Sequence, residues 1–197
     1  MSAIVFISVY AAAGFAVTLL CFFLSELIGA VILPSRRRGE ARVHRRNRGS
    51  GTLNWIGWII AIAVSLNFGN VGIALLPSWV YYFGIFLMLA GIAERQWAIA
   101  VLGRFFSNTL GVQSGQKVVE TGPYRLIRHP SYTGVLMILA GIGLVVQSWA
   151  AVLIDIIIFG VAYGYRMSVE EKILVGELGE SYVDYMKRTK RIIPFLL

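Results

Sequence analysis

The sequence is poor in the residues from which soluble active sites are usually built. Its one cysteine, Cys21, lies in an apolar run, so no disulfide can form within the chain and one thiol supplies no metal site. Its two histidines, His44 and His129, are too few for a protein-built zinc or iron centre. No G-x-S-x-G elbow occurs. Gly141-Ile142-Gly143 is the nearest approach to a dinucleotide fingerprint, but it sits in an apolar stretch with no third glycine in register and reads as helix packing. Charge is scarce as well, at 14% of residues with only 10 acids. Internal repeats and flexible linkers are missing, which leaves a single domain over residues 1–197.

What the chain has is hydrophobic residues, 57% of the total, at a mean hydropathy of +0.73. They come in blocks, and this points to an all-α integral membrane bundle. Ala3–Leu33 and Leu53–Leu76 read as spans, the first closed by Pro34, and Trp79 to about Gly91 begins a third that continues as a helix through Glu94, Arg95, Gln96 and Trp97 to Leu102 and emerges into the cytosol. Thr133–Val146 and Trp149–Tyr165 read as a helical hairpin turning at Gln147 and Ser148. That gives about five transmembrane helices, although each hairpin arm is only about 25 Å long and a re-entrant hairpin is the alternative. Residues 1–93 hold the first spans and 94–197 the region where chemistry is expected. The opening run lacks a basic n-region and is too long and apolar for a cleaved signal peptide.

The 18 Lys and Arg fall in three clusters, Arg36–Arg48, Arg95–Arg128 and Arg166–Arg191. On this topology all lie on one side, as the positive-inside rule requires. The amino terminus is then outside, and the loop Gly103–Tyr132 and the carboxyl terminus are cytosolic. Such placement argues against a nucleic-acid partner despite the net charge of +8. The arginines of Ser35–Gly51 read as a topology anchor on lipid head groups, with His44 solvated among them.

Two acids fall inside apolar spans. Glu26 reads as half of an interhelical hydrogen bond, with a cavity-facing role as the alternative. Asp155 reads as structural, bonded to groups such as Asn67, Asn70 or Ser148. The polar residues that remain converge on the cytosolic rim. Gly122–Gly134 reads G-P-Y-R-L-I-R-H-P-S-Y-T-G, and its two prolines keep Gly122 and His129 out of helical geometry, leaving backbone groups free for a ligand. Arg166 and Glu170, four apart, share a helix face; an ordinary surface ion pair is the plainer explanation.

Gly122–Gly134, Arg166 with Glu170-Glu171, and Leu178–Tyr185 followed by Arg191 and Pro194 resemble the isoprenylcysteine carboxyl methyltransferase family. The likeness covers about Glu94–Pro194, and its three motifs stand in order at family spacing. It implies a membrane enzyme that uses S-adenosylmethionine without a Rossmann domain, in a cytosolic pocket closed by the loop and the carboxyl-terminal helix. Carried over, Gln116, Lys117, Val118, Val119, Tyr124, His129, Pro130, Ser131, Tyr132 and Glu170 would bind the cofactor, and Arg166 would be the catalytic residue facing the acceptor. Gln116 stands where the family commonly has histidine, so a cofactor contact survives there but a titrating role does not.

The residue types suit methyl transfer, an in-line displacement helped mainly by alignment. Carboxyl O-methylation of a lipophilic acceptor entering from the bilayer is the first reading. A phospholipid amine or a thiol as acceptor, a sterol-reductase-like redox enzyme, and a non-enzymatic helical membrane protein are the alternatives.

Overall fold

The computed structural model describes residues 9–32, 41–43, 48–107 and 110–194. The expected stop at Pro34 and the solvated His44 lie outside these residues. Helix α1 spans Val9–Glu26 and continues in π-helical form over Leu27–Ile32. Then follow α2 (Arg48–Val71), α3 (Val80–Leu102), α4 (Pro130–Val145), α5 (Trp149–Leu178) and α6 (Glu180–Arg188). The helical architecture expected from the sequence is met. One small addition is an antiparallel ribbon of β1 (Ala41–Val43) and β2 (Gly111–Gln113), with Arg42 opposite Val112.

Four stretches, Tyr10–Gly29, Thr52–Val71, Val80–Phe105 and Trp149–Leu178, are long and apolar enough to cross a membrane. The protein is integral to the membrane. Large apolar side chains such as Ile59, Phe86 and Val161 are exposed along these helices, as a lipid-facing surface requires. Helix α4 has 16 residues and reaches about 24 Å, short of the roughly 30 Å hydrocarbon core.

The centre of the bundle is the pair α3 and α4. Glycines allow their backbones to touch: a Cβ on Gly84 would lie 2.8 Å from the Gly141 carbonyl oxygen. Close approach through small residues is the usual device for association in lipid, where hydrophobic burial supplies little drive. Gly141 therefore packs helices, as read from the sequence. Met88, Val135, Ile138 and Ile142 fill the space around this contact and are fully buried.

Helices α4 and α5 form the expected hairpin. Gln147 takes a φ of 55° at the turn, and the Ser148 hydroxyl caps α5 by accepting from the Ala151 amide at 3.3 Å. This turn is stitched to the one between α2 and α3: the Leu76 amide donates to the Gln147 carbonyl at 2.7 Å, and the Trp149 amide to Ala74 at 3.1 Å. Asp155 is buried, as a structural role demands, but its partner differs from those expected. It accepts from the Ser65 hydroxyl at 2.8 Å, because α2 and α5 run antiparallel and bring Ser65 level with it.

Helix α5 also runs further than its sequence suggests. The sequence reads as a span ending at Tyr165 and then a charged amphipathic helix over Arg166–Arg191 weakened at Gly176 and Gly179; the observed helix is continuous over 30 residues to Leu178. One glycine costs a helix only about 1 kcal/mol, too little to interrupt a segment held on both sides. The break comes at Gly179, where φ is 60°, a value that a side chain would strain.

Candidate active site

The loop between α3 and α4 owes its course to its prolines and glycines. Gly122 turns the chain with φ 57°, Pro123 opens a short 3-10 turn over Gly122–Arg125, and Pro130 starts α4 behind His129, whose backbone is not helical. The irregular backbone is as expected, but its polar groups are not left free. The Arg128 amide donates to the Lys190 carbonyl at 2.7 Å and the His129 amide to Arg191 at 2.9 Å. The Tyr185 hydroxyl, on α6, donates to the Tyr124 carbonyl at 2.7 Å. The carboxyl-terminal segment takes the places assigned to a ligand, because buried backbone groups are paired wherever the fold can pair them.

A cleft opens between this loop, α5 and the near ends of α1, α2 and α3. Ten of the eleven candidate residues line it: Gln116, Lys117, Val118, Val119, Tyr124, His129, Ser131, Tyr132, Arg166 and Glu170. Pro130 is buried behind them at the start of α4 and does not reach the wall. Gln116 is held by a tight turn at Gly115, its Oε1 accepting from the Gln113 amide at 2.9 Å.

Tyr132 organises the cleft. Its hydroxyl accepts from Arg166 Nε at 2.8 Å and donates to Glu170 Oε2 at 2.7 Å. Arg166 and Glu170 are thus joined through a tyrosine from α4 as well as by their shared helix face. The ring stacks on His129, centroids 5.4 Å apart, and meets Tyr163 edge-on at 5.2 Å. Tyr124, beside Glu170, keeps its proton: burial, with the Glu170 charge second, pushes its phenol up.

The neighbouring acid does different work. Glu171 accepts from Arg128 Nε at 2.9 Å and from Arg191 at 2.6 Å, with His129 Nε2 at 3.3 Å from the same carboxylate. It joins the loop, α5 and the carboxyl-terminal segment. Arg128 also donates to the carbonyls of Met186 and Thr189. Side-chain exposure separates the two acids, 31% for Glu170 and 5% for Glu171. Only Glu170 faces the cleft. Sequence reading gave Glu171 no role; the available signal was that adjacent helical residues project about 100° apart, so two neighbouring acids do not share one wall.

On the opposite side, Arg95 grips Glu26 with two bonds, Nε to Oε1 at 2.5 Å and an η nitrogen to Oε2 at 2.7 Å. Its remaining arm donates to the Ser131 carbonyl at 3.3 Å. Glu26 therefore makes the interhelical bond expected of it, and it also faces the cleft. Arg95, expected only as one of the basic residues that set the topology, ties α1 to the start of α4.

Residues 84–176 match the isoprenylcysteine carboxyl methyltransferase (ICMT) family. The resemblance read from the motifs is shown over this region, which starts ten residues earlier than the motifs suggested and ends before Leu178–Tyr185. Protein-S-isoprenylcysteine O-methyltransferase B of Arabidopsis thaliana is 28% identical over 120 residues, covering 60% of this chain and 61% of that protein. The Saccharomyces cerevisiae protein-S-isoprenylcysteine O-methyltransferase is 30% identical over 115 residues, covering 57% of this chain and 48% of that one. The chain thus spans about half to three fifths of the length of these ICMT relatives. The solved structure of a eukaryotic intramembrane Ras methyltransferase, itself an ICMT, shares the fold with a TM-score of 0.58 and 21% identity, over 78% of this chain and 55% of that one.

Proposed function

We propose that the chain is an S-adenosylmethionine-dependent methyltransferase that O-methylates the carboxylate of a prenylcysteine-type acceptor drawn from the bilayer. The observation that carries this reading is the Arg166–Tyr132–Glu170 chain of hydrogen bonds in one cleft. It places a guanidinium and a carboxylate, the two charges the reaction has to bind, on a common scaffold.

The cofactor residues are Gln116, Lys117, Val118, Val119, Tyr124, His129, Ser131, Tyr132 and Glu170, with Pro130 setting the start of α4. Their fit to the cofactor rests on Glu170, which keeps exposure on the cleft wall while Glu171 is fully engaged. Glu170 holds the ammonium or a ribose hydroxyl. Arg166 orients the acceptor carboxylate through its planar fork. Bound there, S-adenosylmethionine would supply an electrophilic methyl group, and the carboxylate oxygen held by Arg166 would take it, forming the O–C bond as the C–S bond breaks with its electron pair left on sulfur. The nucleophile carries no proton to lose, so no base is needed, and Gln116 in place of histidine costs nothing in this scheme.

The basic clusters set the orientation. The cleft, the loop and the carboxyl terminus face the cytosol, the amino terminus lies outside, and α4 completes a fifth crossing. The soluble cofactor then arrives from water and the acceptor from lipid.

Calorimetric titration of the detergent-purified protein with S-adenosylhomocysteine tests the reading. Saturable binding is expected, weakened about tenfold or more in Tyr132→Phe, which keeps the ring and loses the hydroxyl's hydrogen bonds to both Arg166 and Glu170. A folded wild type that binds none would overturn it.

A further inference from the structure

Asn54 on α2 also lines the cleft. Its Oδ1 is buried and has no hydrogen-bond partner among the described residues. Leaving a buried carbonyl unpaired costs roughly 1–3 kcal/mol, and native structures seldom carry that cost without a reason.

Helix geometry fixes what Asn54 stands beside. Four residues on, Trp58 donates its indole N–H to the Tyr163 hydroxyl on α5 at 2.9 Å. The two backbones lie close here: a Cβ on Gly57 would be 3.6 Å from Ala162. Helices α2 and α5 are antiparallel, so stepping one turn toward the cleft means going back from Trp58 and forward from Tyr163. The first step reaches Asn54 and the second reaches Arg166. At 1.5 Å per residue these two lie about 6 Å and 4.5 Å from the Trp58–Tyr163 bond, in the same direction. Arg166 and Asn54 therefore stand at one level of the cleft, on helices that touch. Phe22, Trp55 and Trp58 give this part of the wall an apolar, aromatic character.

A guanidinium and an acceptor oxygen at the same depth match a ligand that offers a carboxylate and an N–H on neighbouring atoms. We propose that Asn54 accepts a hydrogen bond from the N–H beside the acceptor's carboxylate, so that the site selects α-acylamino carboxylates over plain ones. This rests on the carboxyl-methyltransferase reading above and adds to it a specificity-determining residue. Asn54 lies outside the region that the family model matches, which begins at Gly84.

The test compares N-acetyl-S-farnesylcysteine with S-farnesylthiopropionic acid, which has the same thioether and carboxylate and no N–H. Full-length protein in lipid nanodiscs is assayed with a labelled methyl donor, as wild type and as Asn54→Leu. Wild type is expected to favour the N-acetyl acceptor about tenfold in kcat/KM, the size of one buried hydrogen bond. N54L is expected to lose that preference by slowing the N-acetyl acceptor alone, with S-adenosylhomocysteine binding unchanged. A wild-type ratio near one, or equal loss on both acceptors in N54L, overturns the proposal and leaves the methyltransferase reading standing. The wild-type ratio needs no variant, so a misfolded N54L does not remove the test. Turnover of neither acceptor by wild type overturns both.

Discussion

Gly91 on α3 and Gly134 on α4 face each other with no room for a side chain on either. A Cβ on Gly134 would lie 2.5 Å from the Gly91 carbonyl oxygen, and one on Gly91 would lie 2.6 Å from that of Gly134. The obstruction is backbone on both sides, so nothing flexible can yield. Gly134 also lies in the opening turns of α4, just past Tyr132, and its absent side chain would meet the Arg95 Cβ at 2.8 Å. Gly134→Val is expected to cost about 1–3 kcal/mol by overpacking, a fall of about 2 °C or more in the thermal midpoint in detergent. Gly164, whose Cβ would meet open space, is the control; Gly164→Ala does not lower the midpoint and raises it by up to about 4 °C, because alanine is the better helix former.

Glu170 and Glu171 separate binding from stability. Glu171→Ala strands Arg128 and His129 with the carboxylate gone, and removing one partner from a buried charge cluster costs about 3–5 kcal/mol. Glu170→Ala leaves the packing in place and removes a cleft-wall carboxylate. The expected pattern is a clear drop in thermal midpoint for the first variant with little change for the second. S-adenosylhomocysteine affinity is lost in the second while its fold, read by circular dichroism, is kept. Equal destabilisation by both would contradict the division of labour drawn here.

The Glu26–Arg95 pair makes the third prediction. Either residue alone is an uncompensated charge near the membrane, so Glu26→Leu and Arg95→Leu each destabilise. Together they should do less harm than the sum of the two, with a coupling of about 1 kcal/mol or more in a double-mutant cycle. Additive losses would mean that the two side chains act independently.

Much of this arrangement was legible in the chain itself. The spans follow from apolar blocks and length, and the loop from its prolines. The cleft wall followed from motifs that stand far apart in sequence yet meet in space. What escaped was of two kinds. The partners of Asp155 and of the loop amides depend on which distant residue arrives alongside, and local composition is silent about that: Ser65 is level with Asp155 only because α2 and α5 are antiparallel. The role of Glu171 was hidden by Glu170 beside it, since two letters in a row look like one feature while their side chains diverge around the helix. Arg95 was counted among the basic residues that set topology, and its charge turned out to be matched inside the bundle.

The pairing of Arg128 and His129 with Lys190 and Arg191 has a consequence for biosynthesis. The loop lies more than sixty residues ahead of the segment that fixes its backbone. While the ribosome is still adding residues 130–190, the spans can insert but the cleft lacks one of its walls. At about 5–20 residues per second the nascent protein passes several seconds in the membrane in that state. Binding competence then arrives in a single late event, when Arg191 has emerged and docked, and a truncation before that residue would yield an inserted bundle with no working pocket.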